Sequence, residues 1–99
     1  MRAPPLTNMA KVNGTLSAAT NAEVLAADMQ RQTIHIVNLD ASEALYVEFG
    51  AAASTTLADD SWVIPSSGTL TLSVKDWPEI RNTVNLISVG GGDYSVRTA

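Results

Sequence analysis

Between residues 33 and 97, apolar and polar residues alternate in short runs, each closed by turn-forming residues. This is the signature of β-strands that bury one face. Ile34 and Ile36 fall on one face of their run, with Thr33, His35 and Val37 on the other. Leu45, Val47 and Phe49 share a face opposite Tyr46 and Glu48. Trp62–Ile64 reads as a short strand closed by Pro65-Ser66-Ser67-Gly68, and Leu70, Leu72 and Val74 then alternate with Thr69, Thr71 and Ser73. Residues 75–82 read as a connection, because Pro78 blocks a central strand. Residues 83–89 are β-prone, Gly90-Gly91-Gly92 is a turn, and Tyr94 and Val96 oppose Ser95 and Arg97 in the last run. The pattern predicts an all-β fold, a small antiparallel β-sandwich or barrel of about six to eight short strands. Its predicted core comprises Leu45, Val47, Phe49, Leu70, Leu72, Val84, Leu86 and Val96.

Residues 1–14 lack this alternation, and Pro4-Pro5 favours an extended path because proline fixes φ and donates no ladder hydrogen bond. The expected division is an extended N-terminal arm over 1–14 and a β-domain over 15–99. Asn13-Gly14 is expected to be a turn. Residues 15–32 are open to two readings. Thr20-Asn21-Ala22-Glu23 fits a capping box followed by good helix formers. Val24, Leu25 and Met29 leave only a thin apolar stripe, which suits a strand around residues 23–26 and a turn at 28–30.

Charge sharpens the contrast between arm and body. The 99 residues carry a net charge of −4. Arg2 and Lys11 stand among the first 22 residues without any acid, while all ten acidic residues follow. A basic arm on an acidic body is suited to an acidic partner surface. The acidic body argues against nucleic acid, where phosphate neutralisation dominates affinity. Met1-Arg2-Ala3-Pro4-Pro5 lacks the apolar run of a secretory signal, and no stretch approaches a membrane span.

Little in the chain points to catalysis. There is no cysteine, so neither a disulfide framework nor a thiolate metal site is available. His35, the single histidine, sits mid-strand without a nucleophile motif around it and is expected to be structural. Asp59-Asp60 lacks the spaced oxygen ligands of a calcium loop. Gly90-Gly91-Gly92 is followed by no Lys-Ser/Thr and is not a phosphate loop. No enzyme, cofactor or metal is expected. Trp62 and Trp77 are candidate interface residues, because tryptophans exposed together anchor protein contacts or stack on sugars; a place in the core is the competing reading for both and the favoured one for Trp62.

From Glu23 onward the chain resembles small β-sandwich virion structural proteins of tailed bacteriophages. The residues that carry the resemblance are Ala27-Asp28-Met29-Gln30-Arg31, Thr33-Ile34-His35-Ile36-Val37-Asn38 and Leu45-Tyr46-Val47-Glu48-Phe49-Gly50 with Ala51-Ala52-Ala53. They continue in Pro65…Gly68, Leu70-Thr71-Leu72, Val84…Ile87 and Tyr94-Ser95-Val96, together about three-quarters of the chain. The resemblance favours the strand reading of residues 23–26. It implies a capsid decoration or cement protein, located in the virion after assembly in the host cytoplasm. Its partners would be the major capsid protein and copies of itself, forming a homo-oligomer on the particle without nucleic acid or membrane. The arm residues Arg2, Pro4, Pro5, Leu6, Met9 and Lys11 would then lie over a neighbouring subunit. A neck, tail or fibre-anchoring component is the nearest alternative. A carbohydrate-binding module using Trp62 and Trp77 is the alternative of a different class.

Overall fold

The computed structural model describes residues 10–53 and 62–99. Among them, eight strands follow in order: β1 (Ala10–Leu16), β2 (Ala22–Leu25), β3 (Thr33–Asn38), β4 (Leu45–Phe49), β5 (Trp62–Ile64), β6 (Thr69–Ser73), β7 (Val84–Ile87) and β8 (Gly92–Thr98). A 3-10 turn, Pro78–Arg81, lies between β6 and β7, and no α-helix occurs among the described residues. The strands form two four-stranded antiparallel sheets, ordered β1-β8-β3-β6 and β2-β7-β4-β5. The hydrogen-bonded pairs β1–β8, β2–β7, β3–β6 and β4–β5 are nested, as in one long hairpin rolled onto itself. This is jelly-roll topology, an eight-stranded double-sheet sandwich.

The alternation read from the sequence becomes the inner faces of the two sheets. Ile34, Ile36, Leu72, Tyr94 and Val96 from one sheet meet Leu45, Val47, Phe49, Ile64, Val84 and Leu86 from the other. All eight predicted core residues belong to this body, seven buried and Leu70 partly buried against it. Ile80, in the 3-10 turn, plugs one end with no exposed surface.

Two sequence expectations need correction. The sheet begins at Ala10, so residues 10–14 belong to β1 and not to an arm. Their register with β8 runs unbroken from Ala10↔Thr98 to Leu16↔Gly92. Asn13-Gly14, expected as a turn, lies in mid-strand. The cause is a hidden alternation. Val12 and Leu16 pack inward, and the position between them is Gly14, whose missing side chain leaves room for the cross-strand Tyr94 ring. A Cβ at Gly14 would sit 2.6 Å from the Tyr94 hydroxyl oxygen. Residues 22–25 form a strand, and the capping-box reading of Thr20 fails. Its hydroxyl donates to the Ala18 carbonyl instead.

Polar side chains fasten the loops. Asn38, 3% exposed at the end of β3, spreads its amide N–H groups over the carbonyls of Glu43, Ile64 and Pro65, binding the β3–β4 and β5–β6 turns together. Asp40 Oδ1 accepts from the Ser42 and Glu43 backbone N–H groups and the Ser42 hydroxyl, and these bonds lower its pKa. At the opposite end Arg31, 4% exposed, donates to the carbonyls of Ile80 (2.6 Å), Ala26 (2.9 Å) and Asn82 (3.0 Å). Burial lowers the Arg31 pKa, and the nearby Asp28 carboxylate offsets part of that.

Candidate interaction surfaces

The pairing register decides which side chains share the outer face of the β1-β8-β3-β6 sheet. Lys11 pairs with Arg97, Arg97 with His35, and His35 with Thr71. The result is a straight row of basic side chains across three adjacent strands. Neighbouring strands lie about 4.8 Å apart, so Lys11 and His35 are separated by roughly 10 Å, with Arg97 between them. No carboxylate among the described residues forms an ion pair with Lys11 or Arg97. Like charges set directly opposite across strands are destabilising. The row is therefore a cost to the isolated fold that an anionic partner would relieve.

The next row, Asn13, Ser95, Val37 and Thr69, is neutral. Beyond it Asp93 Oδ1 accepts the Thr15 hydroxyl at 2.5 Å, and the Leu39 side chain is exposed. These rows line a groove of about 640 Å³ reaching from Lys11 and Arg97 to Asp93 and Leu39. His35 borders it, with Nδ1 2.6 Å from the Thr71 hydroxyl, leaving Nε2 as the ring nitrogen free to meet a ligand.

Of the predicted partner-binding residues, Arg2, Pro4, Pro5, Leu6 and Met9 lie outside the described residues, as do Asp59 and Asp60. Lys11 is exposed, on β1 and within the basic row. Trp62 and Trp77 are brought together with ring centroids 4.9 Å apart and planes at 89°. Trp62 packs against the core, and Trp77 remains 40% exposed. The edge-to-face arrangement is a favoured geometry for two aromatic rings. It does not present two coplanar faces on which successive sugar rings could stack. The basic row escaped sequence reasoning because its members are scattered along the chain and meet only through strand order. The available signal was that His35 and Arg97 occupy outward positions of their alternating runs, whereas Lys11 lies in a run whose alternation is broken at Gly14. Among the described residues, no three His, Asp or Glu side chains stand together as metal ligands.

No protein-family model matches the sequence, and no curated protein matches it. Among solved structures, the chain is similar to one described in work on Bacillus endospore appendages as a family of disulfide-linked pili. The match has 17% identity and a TM-score of 0.45 and covers 92% of this chain and 86% of that one.

Proposed function

We propose that this chain is a non-enzymatic structural module of an assembled particle, and in the finer reading a capsid decoration or cement protein of a tailed bacteriophage. The observation that carries the proposal is the position of β1. It is an edge strand, paired only with β8 among the described strands, and residues 1–9 lead directly into it. A segment entering at an open sheet edge can extend to a neighbouring subunit without disturbing its own sandwich. Arg2, Pro4, Pro5, Leu6 and Met9 would form that tether, and Lys11 with Arg97 would meet an acidic surface beside it. The partners in this reading are the major capsid protein and further copies of this chain. Repetition over a symmetric particle would turn modest individual contacts into firm attachment. A neck, tail or fibre-base position uses the same parts and differs only in partner.

Deletion of residues 2–8 tests the reading, because it stops short of β1. The truncated protein is expected to keep its urea midpoint while losing attachment to particles in a co-sedimentation assay. Attachment equal to that of the full chain would refute the tether.

A further inference from the structure

We propose that the groove on the outer face of the β1-β8-β3-β6 sheet is a binding site for an acidic oligosaccharide, one that carries a uronate carboxylate together with free hydroxyls. This goes beyond the assembly role, and on a particle the two would compete for Lys11 and Arg97. The groove has the volume of a small-ligand site, about 640 Å³. Its chemistry changes along its length. At one end Lys11, Arg97 and His35 converge within the width of three strands. A guanidinium takes a carboxylate through two parallel N–H···O bonds, and the flanking Lys11 adds charge. In the middle, Asn13 and Ser95 supply neutral donors and acceptors. At the other end stands Asp93, four residues along β8 from Arg97 and so about 13 Å away.

This polarity selects among anions. A uniformly charged chain that filled the groove would bring its far end against the Asp93 carboxylate. A saccharide with an acidic group at one end and hydroxyls at the other finds cations for the first and an acceptor for the second. Nucleic acid is disfavoured further, because no Phe, Trp or exposed Tyr lines the groove for base stacking. An extended acidic peptide gains affinity by adding to a sheet edge. The groove lies on the sheet face, across β1, β8 and β3 whose backbones are paired with one another, and not along the free edge of β1.

The test is calorimetric titration of the full chain with glucuronosyl-xylotriose, with xylotetraose and inorganic phosphate as comparison ligands. The acidic tetrasaccharide is expected to bind at least tenfold more tightly than xylotetraose. Arg97→Ala is expected to weaken it about tenfold, as for loss of a charge-assisted bidentate pair. Arg97→Lys, which keeps the charge, should recover only part of that loss, and Trp77→Ala should leave affinity unchanged. Both Arg97 variants alter an exposed side chain, and unchanged melting temperatures would confirm that they fold. Failure to bind the acidic tetrasaccharide at millimolar concentration overturns the proposal. So does equal affinity for xylotetraose, or phosphate binding as tightly as the saccharide. Particle attachment by the same variants is read separately. A groove that binds no saccharide while Arg97→Ala abolishes attachment refutes this inference and leaves the assembly reading standing.

Discussion

Replacing Arg31 by Met should destabilise the domain by about 2–4 kcal/mol, and the size follows from opposing terms. The guanidinium donates to three carbonyls, those of Ile80, Ala26 and Asn82, that close one end of the sandwich. Hydrogen bonds to charged groups contribute roughly 1.5–3 kcal/mol each, so the gross loss is about 4–9 kcal/mol. Removing a buried charge also removes its desolvation penalty, which is on the order of several kcal/mol. Methionine replaces the apolar stem, so little of the change is a cavity effect. What remains is the cost of leaving carbonyls without donors, greatest at Ile80, whose bond is fully buried and shortest.

With a urea m-value of about 1.5 kcal/mol per molar, such a loss lowers the unfolding midpoint by about 1.3–2.7 M. Arg31→Lys should fall between the two, since one ammonium cannot span three carbonyls on different segments. Equilibrium urea denaturation followed by tryptophan fluorescence measures this, because Trp62 and Trp77 report on the sandwich directly. A midpoint shift below about 0.5 M for Arg31→Met would show that water satisfies these carbonyls. The claim that Arg31 holds this end closed would then be wrong.

Three further outcomes follow from the packing and the loops. Leu72→Ala, at a position 6% exposed between the sheets, should cost about 2–5 kcal/mol, and an unchanged urea midpoint would reject the β6 register. Gly91→Ala should lower the melting temperature, because Gly91 has φ +79° and a Cβ there would lie 2.6 Å from the Leu16 carbonyl oxygen. The strain is on the order of 1–3 kcal/mol, and a melting curve matching the parent would refute it. Asp40 has a pKa lowered by the bonds it accepts, so its contribution is complete above the unfolded value of 3.8 and fades as pH falls through the lower folded value. Urea midpoints from pH 6 to pH 2.5 should therefore fall less steeply for Asp40→Asn than for the parent, and identical slopes would refute the assignment.

The strands that were legible in the sequence are those with successive apolar side chains at inward positions. Ile34 and Ile36, Leu45, Val47 and Phe49, and Leu70 and Leu72 announce β3, β4 and β6 without help from any other part of the chain. β1 was not legible because one of its inward positions is filled from elsewhere. Gly14 contributes no side chain, and Tyr94 of β8 occupies the space, so the apolar period is complete only when both strands are read together. The same limit hides everything that depends on pairing. Nothing in the run Ala27-Asp28-Met29-Gln30-Arg31 marks Arg31 for burial until residues 80–82 supply its carbonyl partners, and the meeting of Trp62 and Trp77 edge to face is set by the fold and not by their separate runs. Lys11, His35 and Arg97 look like three unrelated surface residues until nested pairing sets them in one row. In a jelly roll the first strand pairs with the last and the second with the seventh, so neighbours in space are far apart in sequence. A strand's buried face is a local property, set by its own alternation. An outer face, where recognition would occur, belongs to several distant strands at once, and no single run of residues encodes it.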